Sequence, residues 1–496
     1  MSSRFRSPIQ FLLPRLGDIL FLAGFGCAIL LGPRLLNVDG DLGRHLVLGQ
    51  QIINSGQIPT QDIFSHTMAG KALTPHEWLS EVIIALCYRW LGLNGVVLLC
   101  GLLIGSTFWV LYSAILERWG RPLLGLGMNL AALAVSSLHW LARPHLFTLL
   151  FFAIWLAELE KLFDRKTNRW WIFPILMLIW ANLHGAFIAG FVTWGIYLAG
   201  NLVDQWREQR SIRLAEIKLP LAAGVVSVAA SLLNPSGFHL WETSLGFLQN
   251  RYLVSHTAEY FSPDFHQIST WPFLAMLVLS ILALGLRKSQ LSAIHILLLG
   301  SWAAMGLVSV RNVPLFGLAA AICLSEVFAS EGALLVGLEG RLLAMENRLT
   351  GWAWPLAVIV LVAFAYGRGI NLDAQQKGNQ FDLGVFPVAA LDWLDDHPVE
   401  GPVFNYFTWG GYLLFREWPD RKVFIDGQTD FYGENLTRQY ETVINAAPGW
   451  QAVLDRYGVR WVLIPEGNSL GKALEQSIHW EEVYKDPTAE IYVHKD

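Results

Sequence analysis

Long apolar segments, separated by polar connections, run through the first 370 residues of the chain. A window of about twenty residues, the length that crosses the hydrocarbon core of a bilayer as a helix, finds about eleven of them. Their centres fall near residues 28, 105, 130, 152, 176, 193, 227, 279, 300, 320 and 360. The pattern predicts a polytopic α-helical membrane protein with about eleven transmembrane helices.

After about residue 370 the pattern changes to the short alternating segments of a soluble α/β unit. We predict helices over 386–397, 409–417 and 450–457, strands over 402–406, 422–426 and 460–465, and a hairpin over 482–494. A unit of around 125 residues is large enough to bury its own core. We therefore divide the chain into a membrane domain, 1–370, and an extracytoplasmic α/β domain, 371–496.

The composition supports a membrane protein. The chain is 54% hydrophobic and 15% charged, whereas soluble domains carry about a quarter charged residues. A dispersed net charge of −5 argues against a nucleic-acid partner. The four cysteines lie in apolar surroundings without metal-ligand spacing, so we expect neither a disulfide framework nor a thiolate zinc site.

The basic residues of the connections indicate the orientation. Lysines and arginines cluster in the connections on the side of the N-terminus: Arg118, Arg121, Lys161, Arg165, Lys166, Arg169, Arg207, Arg210 and Arg213. The positive-inside rule places that side in the cytoplasm. We expect a multi-pass protein of the cell inner (plasma) membrane, in which an odd number of spans puts residues 371–496 outside the cytoplasm.

The connection after the first span, residues 37–92, is far longer than a connector needs to be. It begins Asn37-Val38-Asp39-Gly40-Asp41 and continues with further polar residues: Arg44, His45, His76 and Glu77. Carboxylates at a bilayer boundary are costly unless they are paired, solvated or used in function. This first outer loop is therefore the main candidate for chemistry.

Other polar residues fall on the same predicted side, at the ends of separate spans. They are Arg143, His145, Asn182, His184, Arg251, Glu259, Asp264 and Arg311. Each one, taken singly, is also consistent with interfacial anchoring or helix capping. Together they predict one polar layer at the outer face, as an active site there would require.

The segment 41–92 resembles the first outer loop of the GT-C glycosyltransferases that use polyprenyl-phosphate sugars. That superfamily includes protein O-mannosyltransferases and aminoarabinose transferases. Its loop starts with an acidic residue, followed by an amphipathic helix that ends near Ser-Gly, here 44–56, and by a second helix, here 77–91. Counting back from Ser55-Gly56 places Asp41 at the catalytic acid position, with Asp39 beside it. The family often has Asp-Glu where this chain has Asp-Gly-Asp, so both aspartates are candidates for the base.

The C-terminal part is loosely similar to the catalytic subunits of oligosaccharyltransferases. Three segments follow the order of landmarks in those subunits: Trp409-Gly410-Gly411-Tyr412, 421–426 and 457–464. The aspartate of the corresponding Trp-Trp-Asp-Tyr-Gly element is missing, so recognition of an acceptor peptide is not implied. Trp409 and Tyr412 become candidates for substrate binding.

Transfer of a sugar from a lipid phosphate needs a base for the acceptor hydroxyl and positive charge for the departing phosphate. We predict Asp41, with Asp39, as the catalytic carboxylate. Arg143 and Arg311 are the predicted phosphate ligands, because a guanidinium binds phosphate oxygens bidentately. The predicted substrate-binding residues are Arg44, His45, His76, Glu77, His145, Asn182, His184, Trp409 and Tyr412. Asp39, Asp41 and His76 are candidate ligands of a divalent metal ion.

The predicted function is an inverting glycosyltransferase that acts at the outer face with a polyprenyl-phosphate-linked donor. Lipid, glycan and protein acceptors are all consistent with the sequence. Two alternatives stay open. A transporter would have charges near the bilayer midplane and repeated halves, and neither is evident here. A receptor or scaffold that works through residues 371–496 would account for the C-terminal unit but not for the acidic first loop.

Overall fold

The computed structural model describes residues 8–287, 291–329 and 336–495. Up to residue 370 these residues form helices: α1 Pro8–Leu12, α2 Leu16–Leu30, α3 Gly32–Asn37, α4 Leu42–Ser55, α5 Trp78–Leu91, α6 Leu93–Trp119, α7 Pro122–Ser136, α8 His145–Phe163, α9 Ile172–Leu183, α10 Ile188–Gln209, α11 Leu214–Ser231, α12 His239–Gln249, α13 Arg251–His256, α14 Trp271–Arg287, α15 Ala293–Val308, α16 Val313–Ala329, α17 Val336–Glu346 and α18 Ala353–Gly367.

Each of the eleven predicted span centres lies in one of these helices. Within the described ranges, seven helices are long and apolar enough to cross a membrane, and α9, α15 and α18 are shorter apolar helices. The predicted class, a polytopic helical membrane protein, is confirmed. The count of eleven spans stays a prediction.

Small residues let the helices of the bundle pack closely. A Cβ at Gly24 in α2 would lie 3.3 Å from the Cα of Gly105 in α6. In a bilayer the hydrophobic effect does not drive helices together, so they associate through close packing of this kind. The α16 helix is buried along nearly its whole length and lies in the middle of the bundle core.

One end of the bundle holds a buried ionic cluster. His295, at the start of α15, has its Nε2 2.8 Å from Glu160 of α8 and its Nδ1 against Glu326 of α16. Tyr197 of α10 and Arg118 at the end of α6 also contact Glu160. The spans, whose interior the sequence predicts to be nearly free of charge, thus end on this side in a charged cluster. The sequence does not show this cluster, because its members are single residues on five different helices.

The C-terminal unit has five helices and a four-stranded sheet within the described residues. Its elements are α19 Val388–Asp396, α20 Gly410–Glu417, α21 Thr429–Ile444, α22 Trp450–Arg456, α23 Ser469–Glu475, β1 Val403–Asn405, β2 Trp461–Pro465, β3 Trp480–Lys485 and β4 Ala489–His494. The strand order is β1-β2-β4-β3. β1 is parallel to β2, with Phe404 opposite Val462, and the other pairs are antiparallel. The predicted hairpin is confirmed.

The strand predicted over 422–426 is wrong. This segment makes only an isolated bridge between Val423 and Ser65 of the first loop. The Asn405 side chain accepts from the Phe424 N–H and donates to the Ile425 carbonyl, both at 2.8 Å. A side chain therefore satisfies the backbone that a neighbouring strand would otherwise pair with.

The first loop shares a hydrophobic core with the C-terminal unit. Apolar residues of α4 and of the segment after it pack with residues in and just before α19, in α20 and in β2: Val47, Leu48, Ile52 and Phe64 against Phe386, Leu391, Leu413 and Leu463. A Cβ at Gly43 would overlap the Gly411 carbonyl, and one at Gly40 would overlap the Thr408 carbonyl. The glycines of both segments thus permit backbone contact, which holds the start of the first loop against α20.

Candidate active site

Four separate connections at one end of the bundle bring their charged residues together. Asp39 and Asp41 lie between α3 and α4, and Arg143 lies between α7 and α8. Glu259 follows α13, and Arg311 lies between α15 and α16. Alternate connections of an up-and-down bundle meet at the same end, which is why residues far apart in sequence form one cluster.

Arg143 is the centre of this cluster. Its Nη1 lies 2.7 Å from Asp39 Oδ2 and also contacts the Glu259 carboxylate. Its Nη2 lies 2.6 Å from Asp41 Oδ2. One guanidinium therefore faces three carboxylates, and Asp39 also accepts from the Asp41 N–H at 2.9 Å.

Arg311 lies on the other side of Glu259, 3.7 Å from its carboxylate. The remaining contacts of Arg311 are to uncharged groups: Nη1 donates to the Tyr260 hydroxyl at 2.8 Å, and Nη2 lies 3.1 Å from His184 Nε2. The guanidinium also lies 5.5 Å from the centre of the Tyr260 ring. Arg311 is therefore less neutralised by carboxylates than Arg143.

A second group of charges lies one helical turn along α4. Arg44 Nε lies 3.3 Å from Asp426 Oδ2, and Nη1 lies 3.6 Å from Glu81 Oε1. His45 Nδ1 lies 3.0 Å from Glu81 Oε1 and 3.9 Å from Glu77 Oε2. Buried ion pairs of this kind fix geometry, and removal of one partner leaves an uncompensated charge.

The C-terminal unit reaches this site through residues 426–430. A Cβ at Gly427 would overlap Asp41 Oδ1, so the backbone there lies directly on the predicted catalytic carboxylate. Gln428 accepts a hydrogen bond from Arg44, and Asp430 lies 3.7 Å from His76 Nδ1. The predicted membrane site thus includes backbone and side chains from residues after 371.

Burial and neighbouring charges shift the carboxyl groups in opposite directions. Burial raises the pKa of Asp39 to about 6, although Arg143 opposes the shift. Burial also raises the pKa of Glu259, but Arg143 and Arg311 lower it by more, and its pKa lies well below the usual value. Burial also raises the pKa of Glu77, but the nearby His76 and His45 lower it by more, so that its pKa lies below the usual value.

The other predicted binding residues have different positions. His184 and Asn182 lie at the end of α9: His184 Nε2 is 3.4 Å from Glu77 Oε1, and Asn182 accepts from the Trp78 indole at 2.8 Å. His145 Nε2 is held by the His139 carbonyl at 2.8 Å. These residues line the edge of the charged cluster.

Trp409 and Tyr412 are not brought into the cluster. Both are buried in the C-terminal core, where the Trp409 indole donates to the Val385 carbonyl at 2.8 Å. Tyr412 packs on Phe381 and Phe386. Their side chains hold α20 in place, and a role in substrate binding stays a prediction.

The structure adds three residues to which the sequence gave no role, Tyr260, Glu81 and Asp426, and it pairs Glu259, predicted only as part of the polar layer, with two arginines. Glu81 follows Glu77 by four residues, a spacing that puts both on one helix face. Asp426 ends the segment 422–426, where a polar residue after an apolar run is a usable signal. Glu259 stands with Tyr260 in a connection without a motif, and only packing shows its partners.

The candidate metal ligands divide between two places. Asp39 and Asp41 both contact Arg143, whereas His76 lies 4.0 Å from Glu77 Oε1 and 3.7 Å from Asp430. Within the part of the chain that the structure describes, the group around His45, Glu77 and Glu81 has ligand atoms within 4.8 Å of one another.

No model of a known protein family matches the sequence, and no curated protein matches it. The fold, however, is similar to solved structures. One is the oligosaccharyltransferase AglB from Archaeoglobus fulgidus in complex with an inhibitory peptide and a dolichol-phosphate, with 13% identity, 90% of this chain and 69% of that chain covered, and a TM-score of 0.58. Another structure of that archaeal oligosaccharyltransferase, tethered with an acceptor peptide, has the same identity and coverage and a TM-score of 0.54.

ArnT from Cupriavidus metallidurans in the apo state is also similar, with 15% identity, 96% of this chain and 97% of that chain covered, and a TM-score of 0.52. AglB and ArnT are GT-C glycosyltransferases. At these identities the likeness shows the fold, and the predicted resemblance to the GT-C superfamily is confirmed at that level. The molecule is a multi-pass membrane protein with a GT-C fold and a C-terminal α/β unit.

Proposed function

We propose that this protein is a membrane glycosyltransferase that moves a sugar from a polyprenyl-phosphate-linked donor to an acceptor. The observation that carries the proposal is the meeting of Asp41, Arg143 and Arg311 at one end of a GT-C fold. A carboxylate beside arginines supplies the two things that this reaction needs, a base and positive charge for phosphate.

Asp41 is the proposed general base. It immediately precedes α4, where the positive end of the helix dipole favours a negative charge. The acceptor hydroxyl would attack the anomeric carbon as the bond between that carbon and the phosphate oxygen breaks. The hydroxyl proton passes to Asp41, and the bonding electrons leave with polyprenyl phosphate. A single displacement of this kind inverts the anomeric configuration.

Arg311 is the proposed ligand of the departing phosphate. Arg143 already faces three carboxylates, so its positive charge is more than balanced, and its proposed part is to hold Asp41 in position. Arg311 faces a tyrosine hydroxyl and a histidine and lies 3.7 Å from its nearest carboxylate partner, Glu259. A planar guanidinium with weaker competition is better suited to phosphate oxygens.

The donor class is supported by AglB, which was solved with a dolichol-phosphate. The same neighbour was solved with peptides, but this chain lacks the aspartate of the corresponding Trp-Trp-Asp-Tyr-Gly element. We therefore leave the acceptor as a lipid, a glycan or a protein. The proposed location is the inner (plasma) membrane, with the site and residues 371–496 outside the cytoplasm.

A substitution at Asp41 tests the reaction. The purified protein is reconstituted in liposomes with a mixture of polyprenyl-phosphate sugars and an envelope extract, and mass spectrometry follows the release of polyprenyl phosphate. Asp41→Asn keeps the shape and removes the charge, so transfer should fall by about 10²–10⁴-fold while the donor lipid still binds. If Asp39→Asn loses transfer and Asp41→Asn does not, the two roles are exchanged. Normal transfer in both variants refutes the proposal.

The proposed orientation has its own test. A reporter that is active only outside the cytoplasm should be active when fused to the C-terminus, because the basic connections sort with the N-terminal side. Activity of a cytoplasmic reporter at that position would contradict an outer-face site.

A further inference from the structure

We propose that His45, Glu77 and Glu81, with His76, form a binding site for a divalent cation of the zinc or manganese class. This site lies between α4 and α5, beside the Asp41 cluster, and Glu77 Oε1 also lies 3.4 Å from Nε2 of His184, which contacts Arg311. The inference does not rest on the proposed glycosyltransferase function.

The ligand atoms already lie close together. His45 Nδ1 is 3.0 Å from Glu81 Oε1 and 3.9 Å from Glu77 Oε2. Two ligand atoms of one tetrahedral zinc ion are about 3.4 Å apart, given bonds of about 2.1 Å. Glu77 and Glu81 stand four residues apart at the start of one helix, so both carboxylates face α4 from the same side.

Two buried side chains of this cluster bond to each other but each keeps one atom without a hydrogen-bond partner. Glu81 is 1% exposed and His45 is 3% exposed. Glu81 Oε2 and His45 Nε2 have no hydrogen-bond partner. A buried carboxylate with an unsatisfied oxygen is costly, and coordination of a cation by Glu81 would satisfy that group.

His76 lies beside the group of three residues whose ligand atoms are within 4.8 Å of one another, and a small movement toward that group would make it the fourth ligand. Its Nδ1 lies 3.2 Å from the Thr74 carbonyl, an acceptor, so Nδ1 must carry the proton. The lone pair is then on Nε2, which lies 4.0 Å from Glu77 Oε1. Asp430 also lies 3.7 Å from Nδ1. A histidine that binds a metal through one ring nitrogen usually donates its other ring N–H to a carbonyl or a carboxylate, as Nδ1 of His76 does here.

The charges favour a cation here over one at the aspartates. His45 Nδ1 donates to Glu81 Oε1 in this structure and would give up that proton on binding a cation. The set of two neutral imidazoles and two carboxylates then has a charge of −2, which one divalent ion balances. Arg44 lies near Glu81 but is paired with Asp426 at 3.3 Å. Asp39 and Asp41, in contrast, already hold the guanidinium of Arg143. Mixed imidazole and carboxylate ligands suit zinc and manganese.

Metal binding by the full-length protein tests this site. The purified protein is treated with a chelator and dialysed against Zn²⁺ or Mn²⁺, and elemental analysis gives the metal content per chain. We expect one ion per wild-type chain. Glu77→Gln and Glu81→Gln should each weaken binding by at least about 100-fold, because loss of even an outer partner costs 10–100-fold. His66→Asn is the matched control, since His66 is held by the Val403 carbonyl outside the cluster.

Two results would overturn the proposal. One is a wild-type protein that retains neither ion at micromolar concentration. The other is unchanged affinity in both glutamine variants. If a variant does not fold, the wild type loaded with Co²⁺ decides: an absorption spectrum of four-coordinate nitrogen and oxygen ligands supports the site, and that of the hydrated ion contradicts it.

Discussion

Arg143 and Arg311 have the same charge but different surroundings, and we infer different roles for them from this difference. Arg143 binds Asp39, Asp41 and Glu259, so it orders the carboxylates of the site. Arg311 is oriented by Tyr260 and His184. Glu259 lies between the two arginines and keeps their like charges at a fixed separation.

Replacing Arg311 with lysine keeps the charge and removes the planar fork. We expect kcat/KM for the donor to fall by about 10²–10³-fold, the range for loss of one donor aimed at developing charge. Steady-state kinetics at varied donor concentration measures the change. Arg251→Lys, an exposed arginine at the start of α13, serves as the control. Wild-type kinetics in Arg311→Lys would remove Arg311 from the reaction.

The sequence could indicate which residues meet but not how they pair. Asp39, Asp41, Arg143 and Arg311 were predicted to converge, since each ends a span on one side of the membrane. The contact between Arg143 and both aspartates bridges about 100 residues and depends on how the loops pack. The pairing of Glu81 could not be predicted from the sequence either, because its partner His45 lies on another helix.

Helix α4 is the element on which both charged groups are built. Asp41 precedes it, and Arg44 and His45 lie in its first turn. Its apolar face, with Val47, Leu48 and Ile52, packs on the C-terminal unit. Leu48 follows Arg44 by four residues and Ile52 follows His45 by seven, so the polar and apolar residues share one side of the helix. The packing of α4 on the C-terminal unit therefore also sets the direction of these polar side chains.

A methyl group added at Gly427 should disturb the site, although no charged residue is replaced. The Gly427→Ala side chain would overlap Asp41 Oδ1, so the carboxylate or the 426–430 segment must move. We expect transfer to fall by about 100-fold, since a displacement of about 1 Å has that effect. Gly246→Ala in α12, where a Cβ meets nothing within 4 Å, should be normal. The transfer assay compares the two, and equal activity would show that this contact is unimportant.

Histidine at position 66 should make the first loop sensitive to acid. Burial lowers the pKa of His66, whose Nε2 lies 2.8 Å from the Val403 carbonyl. The folded protein thus binds this proton less readily than the unfolded chain, and stability is lost as the pH falls through the usual value of about 6.5. The melting temperature of the wild type, relative to His66→Asn, should decrease between pH 7.5 and pH 5. Parallel curves would contradict this.

The helices were predictable because apolar length is a strong local signal, and all eleven predicted centres lie in helices. Helix α21 was missed, since its sequence, Thr429–Ile444, is polar and interrupted by Gly433 in the left-handed region, with φ 69°. The segment 422–426 has the composition of a strand, but Asn405 takes its backbone hydrogen bonds. Neither outcome is encoded within the segment itself.

Across the whole molecule, the membrane part and the C-terminal unit are joined by a buried ion pair, Arg44 with Asp426. Both side chains are at most 6% exposed. This ion pair and the shared apolar core show that both parts of the chain are needed to form the site.

Asp426→Asn should weaken this junction. It leaves Arg44 buried with less compensation, a change that costs about 3–5 kcal/mol. The thermal unfolding midpoint of the purified protein should fall clearly. Asp395→Asn is the control, because Asp395 pairs with Arg416 at the surface, at 58% exposure, where a pair contributes at most about 1 kcal/mol. Equal midpoints for the two variants would show that the junction does not depend on this pair.

The shared core also sets an order of events during synthesis. The first loop leaves the ribosome about 280 residues before residue 371 does, which at 5–20 residues per second is roughly 15–55 s. Throughout that interval the apolar face of α4 lacks its partners from the C-terminal unit, and Asp41 lacks the backbone of Gly427 beside it. The nascent chain must therefore keep this surface covered, by the lipid interface or by a chaperone. A ribosome that stalls before the last quarter of the message releases a membrane protein with an incomplete site.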